Sequence, residues 1–134
     1  MSVEISYLTK HQLTVLNVLD KSSEPLKSYT ILYDIQKKGI KSPLQVYRAL
    51  DKLIEIGKVH KIESRNSYVA CKHEGCNAKT STSFLICENC DKVTELTGNN
   101  LFSYFSKQAE KNNFHYKKHS LEIYGLCEGC KLKN

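Results

Sequence analysis

Ser42-Pro43-Leu44-Gln45-Val46-Tyr47-Arg48-Ala49-Leu50-Asp51-Lys52-Leu53-Ile54-Glu55-Ile56-Gly57 is the stretch on which the fold turns. Ser42 offers a hydroxyl that can cap a helix, and Pro43 stands at the first helical position, where its missing N–H is no loss and its φ is already helical. Val46, Leu50, Leu53 and Ile54 then recur at helical spacing and make one apolar stripe, which Gly57 ends. Opposite the stripe stand Gln45, Arg48 and Lys52, so successive turns present groups suited to base edges and phosphates. A merely solvated face would have the same composition, so this pattern alone leaves both readings open.

Working outward toward the N-terminus, Ser28 can cap a shorter helix whose Ile31, Leu32 and Ile35 face inward and whose end is marked by Gly39. Before it, Thr9 and Gln12 have the spacing of a capping box, and Leu13, Leu16 and Leu19 follow at helical intervals up to the Ser22-Ser23-Glu24-Pro25 break. On the other side of Gly57, Val59 to Glu63 and Tyr68 to Cys71 read as two strands joined by the polar turn Ser64-Arg65-Asn66-Ser67, with Arg65 at its basic tip. Three helices followed by such a ribbon predict a winged helix-turn-helix over residues 1–72.

Residues 73–82 are polar and read as a hinge or crossing loop. Beyond them the pattern predicts strands at Ser83 to Cys87, Val93 to Leu96, near Phe114 to Tyr116, and at Leu121 to Leu126. Between the second and third of these lies a helix with Leu101, Phe102, Phe105 and Ala109 on one side. Residues 83–134 therefore form a second, α/β lobe, whose apolar area suits a dimer face. The whole chain is α+β.

Two copies of one spacing, Cys87-x-x-Cys90 and Cys127-x-x-Cys130, fall in this second lobe. Each follows an apolar stretch, so two strands deliver two knuckles to one corner, and four thiolates there make a tetrahedral zinc cage. Disulfides are the alternative. Met1 to Lys10 has no apolar core of signal length, and no run of about 18 apolar residues occurs, so the expected setting is cytoplasmic and reducing, with no membrane partner. A redox enzyme would need a low-pKa thiol at a helix start, which neither pair offers in sequence; no enzymatic activity and no small-molecule substrate are expected.

Lysine and arginine number 20 against 14 acidic residues, a net charge of +6, and the excess is uneven. From Lys37 to Arg65 eight basic residues face three acidic ones, a net +5, which points to a polyanion such as DNA.

The segments Leu8-Thr9, Pro25-Leu26-Lys27-Ser28-Tyr29, Val46 to Leu53 and Gly57 to Ser64, followed by both CxxC pairs, resemble the ferric uptake regulator family, most of all its zinc-responsive branch. The match runs from about Leu8 to Cys130. The resemblance implies a dimeric, metal-responsive transcriptional repressor with an N-terminal winged helix and a C-terminal dimerisation lobe, binding palindromic double-stranded operator DNA of zinc-uptake genes. It implies a structural Zn²⁺ at Cys87, Cys90, Cys127 and Cys130 and a second, regulatory Zn²⁺, two per protomer. The regulatory ligands it implies are His60, Cys71 and Glu95. Where the family usually has a further histidine, seven residues before Cys87, this chain has Thr80, and Cys76 or His73 is the substitute donor. Tyr29 and Arg48 align with DNA-contacting residues, and Tyr47 joins Gln45, Lys52 and Arg65 as a further candidate. His119, eight residues before Cys127, lacks partners at ligand spacing and is read as structural.

Two rival readings follow from the same residues. One is a family member that senses another metal or peroxide. The other is a constitutive winged-helix and zinc-ribbon adaptor, which would hold one zinc per chain instead of two.

Overall fold

The computed structural model describes residues 8–22, 24–72, 76, 80–96 and 100–132. The chain forms two compact units, Met1–Ala78 and Lys79–Asn134.

In the first unit, helix α1 (Lys10–Lys21) opens on the expected capping box: Thr9 accepts from the Gln12 amide while Gln12 Oε1 accepts from the Thr9 amide. Its buried side chains are Val15, Leu16 and Leu19, whereas Leu13, expected inside, is 37% exposed at the edge of the stripe. Helix α2 (Ser28–Ile35) has Lys27 as its N-cap, so Ser28 is the first helical residue and not the cap. Its hydroxyl is committed elsewhere, to Tyr47. A short 3-10 turn, Gln36–Lys38, extends the helix to Gly39, whose φ of 94° requires a residue without Cβ strain. Helix α3 (Pro43–Glu55) has Ser42 as N-cap, accepting from the Gln45 amide, and buries Val46, Ala49, Leu50 and Leu53.

Strands β1 (Val59–Ile62) and β2 (Ser67–Ala70) pair antiparallel, with a 3-10 turn and a left-handed Asn66 at the tip. Leu26 exchanges two backbone hydrogen bonds with Tyr68, adding a third short segment to the ribbon. The core of this unit draws on every element: Val15, Leu19, Ile31, Ile35, Ile40, Leu50, Leu53, Val59 and Tyr68 all pack in one cluster. Burying each large aliphatic side chain contributes about 1.5–3 kcal/mol, so the helical stripe and the ribbon's inner face stabilise each other.

The second unit is built on a three-stranded sheet in the order β4-β3-β5. Strand β3 (Thr82–Cys87) lies in the middle, antiparallel to β4 (Val93–Glu95) and parallel to β5 (Ser120–Gly125). Parallel pairing requires a crossover, which contains helix α4 (Asn100–Lys111). Phe84 and Ile86 are buried on one face of β3, while Leu85, its partner Ile123, and Leu126 remain at least 40% exposed. No residue of α4 is buried, and Phe102 is half exposed, so the expected apolar stripe is only partly covered within one chain.

The stretch 114–116, expected as a strand, is irregular. Tyr116 has other work: its ring meets Phe102 edge-on at 4.9 Å, and its hydroxyl lies 2.6 Å from His119 Nδ1. His119 Nε2 in turn lies 3.2 Å from Ser83 Oγ, and burial holds the imidazole pKa below its ordinary value. A neutral ring that accepts from Tyr116 at Nδ1 and donates to Ser83 at Nε2 satisfies both contacts. His119 thus has a structural role, clipping the start of β5 to β3.

One element absent from the sequence reading is helix α5 (Glu128–Lys131), a single turn for which Cys127 is the N-cap. The second CxxC pair is wound into it. No helix among the described residues is long and apolar enough to cross a membrane.

Candidate metal centres and nucleic-acid face

The parallel register of β3 and β5 sets Cys87 opposite Gly125, two residues before Cys127. The first knuckle then turns tightly: the Asp91 amide donates to the Cys87 carbonyl at 3.0 Å, the Cys87 amide donates to Lys92, and Asp91 takes a left-handed φ of 62°. The Glu88 amide donates to the Gly125 carbonyl at 2.8 Å, fastening this knuckle to the other strand. α5 then turns Cys130 back toward the first pair. The result is that sulfurs of Cys87, Cys90, Cys127 and Cys130 all lie within 4.8 Å of one another. No disulfide forms among them.

The chemistry of this donor set fits a tetrahedral dication. Cys90 and Cys127 Sγ are 3.7 Å apart, close to the edge of about 3.75 Å that four sulfurs at about 2.3 Å from a zinc ion would define. Without a cation, four adjacent thiols cannot all ionise. Main-chain amides of Cys127 and Cys90 lower the Cys87 pKa to about 6. Cys90 accepts the Lys92 amide, which lowers its pKa, yet the neighbouring Cys87 sulfur, burial and Cys127 together raise it to about 11. The Cys130 amide lowers Cys127. Opposed shifts within one cluster are the mark of like charges competing for one place, and a dication removes the competition.

A second group gathers on the wing. His60 lies on β1 opposite Val69, and Cys71 lies two residues beyond Val69, so both side chains leave the same face of the ribbon as diagonal neighbours. The Cys71 amide continues the ladder by donating to the Lys58 carbonyl at 2.9 Å. His60 is 7% exposed. Cys76 joins them: the ligand atoms of His60, Cys71 and Cys76 lie within 4.8 Å of one another. One imidazole and two thiols suit a soft or borderline cation and leave room for a fourth donor. Of the other two candidates, Glu95 is in the second unit, on β4 opposite Phe84, and His73 lies outside the described residues.

The exposed side of α3 presents Tyr47, Arg48 and Lys52, with Tyr29 of α2 69% exposed. Lys52 makes an exposed i,i+3 pair with Glu55 at 3.7 Å, too solvated to hold it in place. Gln45 is half-buried, and its Oε1 accepts from the Lys41 amide at 3.1 Å, an exposed bond at the start of the helix. Arg65 is half-buried in the wing turn. Tyr47 accepts from Ser28 Oγ at 2.8 Å, a link between α2 and α3 that no local pattern announces.

Comparison with known proteins places this geometry. The model of the ferric uptake regulator family matches residues 6–124. The zinc uptake regulation protein of Escherichia coli K12 is 35% identical over 124 residues, which span 92% of this chain and 72% of that protein. A crystal structure of holo XcZur, 34% identical, covers 93% of this chain and 86% of its own, with a TM-score of 0.83. A zinc uptake regulator complexed with zinc and DNA, 31% identical, covers 93% and 83% with a TM-score of 0.84. With the winged ribbon, the sheet order and the four-thiol corner in place over nearly its whole length, the chain belongs to the ferric uptake regulator family.

Proposed function

We propose that the chain is a zinc-responsive, dimeric transcriptional repressor that binds palindromic operator DNA of zinc-uptake genes. The observation that supports this best is the gathering of His60, Cys71 and Cys76 on the wing, apart from the four-thiol corner. A purely structural zinc protein has no use for a second soft donor set there. In this reading Cys87, Cys90, Cys127 and Cys130 hold a permanent zinc, while His60, Cys71 and Cys76 hold a regulatory one with Glu95, assigned from the family resemblance, as fourth ligand. Two thiolates favour zinc over iron(II) or manganese(II), whose sites are richer in oxygen and nitrogen.

Residues 1–72 are the DNA-binding domain, 73–82 the hinge, and 83–134 the dimerisation and metal-binding domain. The exposed Leu85, Ile123 and Leu126, with β5 at the sheet edge, favour association with a second copy, because an uncovered apolar face beside an open strand edge is costly in water. A two-fold dimer reads two half-sites only if its recognition helices keep a fixed separation, about 34 Å or a multiple of it. In this reading the regulatory zinc stiffens the end of the wing through His60, Cys71 and Cys76, which limits how far that separation can wander.

The experiment is a zinc titration of operator binding with parallel elemental analysis. Affinity for a palindromic fragment should rise about 5–150-fold as the second equivalent binds. Equal affinity with one and two zinc ions per chain would sink the proposal in favour of the adaptor reading. Arg48 has the exposure and position to read a base, so Arg48→Ala should weaken specific binding by about 1–3 kcal/mol and relax sequence preference, as a mobility-shift competition would reveal. An unchanged preference would remove Arg48 from the reading face.

A further inference from the structure

The sulfurs of the four-thiol corner are reached by N–H groups of different origin. Main-chain amides of Cys127, Cys90 and Asn89 act on the Cys87 sulfur, and that of Cys130 acts on Cys127. Substitution cannot remove donors of that kind. At Cys130 a side chain does this work: Asn89 Nδ2 lies 3.3 Å from Cys130 Sγ. Asn89 stands between Cys87 and Cys90, so its carboxamide reaches from the first knuckle to the second.

We propose that Asn89 is a positioning residue of the metal cage, whose N–H···S bond bridges the two knuckles, aims Cys130 inward and withdraws charge from its sulfur. This rests on the reading of the four thiols as zinc ligands. Four thiolates around a dication leave two negative charges in excess, and each N–H that points at a sulfur offsets part of that excess. The place of the bond matters. Cys90 is exposed and can be hydrated, but Cys130 is only 5% exposed and has little access to water. A buried sulfur deprived of its donor is held less firmly toward the ion, and the metal leaves sooner. The Asn89 residue as a whole is exposed, so replacing it disturbs little packing.

Asn89→Asp separates this role from a shape effect, because it keeps the size of the side chain and exchanges the N–H donor for an anionic oxygen facing the thiolate. Zinc transfer from the full chain to a chromogenic chelator should be about tenfold faster or more in Asn89→Ala, within the range for loss of a partner behind a metal ligand, and faster again in Asn89→Asp. In cobalt(II)-substituted protein the sulfur-to-cobalt charge-transfer band should move to lower energy in both variants, since the sulfur lone pairs lose their stabilising dipole. Asn89→Asp with native release kinetics and a native band would overturn the inference while leaving the cage intact. Native protein that binds no metal through these thiols would overturn the cage reading, and this inference with it.

Discussion

Cys90→Ala is expected to unfold the second unit and abolish dimer formation, although the residue it removes is exposed. Truncating an exposed side chain loses almost no packing, so a collapse would have to come from the metal. The magnitudes favour that outcome. Among the described residues this unit's buried apolar side chains are few, Phe84 and Ile86, worth about 1.5–3 kcal/mol each, with the thiols Cys87 and Cys130, against a backbone ordering cost of about 1–2 kcal/mol per residue. Structural zinc sites contribute about 10–16 kcal/mol in small peptide systems, as much as the whole net stability of an ordinary domain. The winged unit has its own core and should keep its helical circular dichroism. Ultracentrifugation and metal analysis would decide: a soluble Cys90→Ala dimer with a full complement of zinc would contradict the cage.

Cys71→Ala is the second large effect, and it has the opposite character. Cys71 is held at the end of the wing ladder by its amide, a contact alanine retains, so the fold should survive. What disappears is one of the soft donors beside His60 and Cys76. Operator affinity in saturating zinc should fall to that of protein carrying zinc only at the four-thiol corner, erasing the about 5–150-fold response that coupling of about 1–3 kcal/mol provides. By linkage, DNA should also lose its effect on zinc affinity in the variant. Fluorescence anisotropy with labelled operator at two zinc concentrations measures both, and a Cys71→Ala protein that still responds to zinc would remove this residue from the regulatory set.

Much of the winged unit was legible because its signals are local. Thr9 with Gln12, and Ser42 with Pro43, are cap chemistries confined to one turn, and the α3 stripe needs no partner to be recognised. Ser28 misled because a hydroxyl beside a helix start can serve the backbone or a distant neighbour, and Tyr47 is nineteen residues away. Phe114 to Tyr116 has the alternation of a strand, yet Tyr116 is drawn to Phe102 and His119 by ring packing that sequence spacing does not encode. The single turn of α5 lies below the length at which periodicity can be detected, and it serves to bring Cys130 back toward Cys87. Both CxxC pairs were visible as chemistry, and their juxtaposition could be inferred. The approach of Cys76 to His60 could not be read from spacing alone, and without the resemblance no local feature would have favoured it.

The side-by-side, same-direction pairing of β3 and β5 has a bearing on biosynthesis. Cys87 and Cys90 leave the ribosome well before Cys127 and Cys130, and the first two thiols alone make only half a ligand sphere. Contacts so distant along the chain form slowly, because the intervening loop must close before any of them is rewarded. The nascent lobe therefore cannot complete its ligand sphere until translation has passed Cys130, whereas the core of the winged unit needs none of these residues.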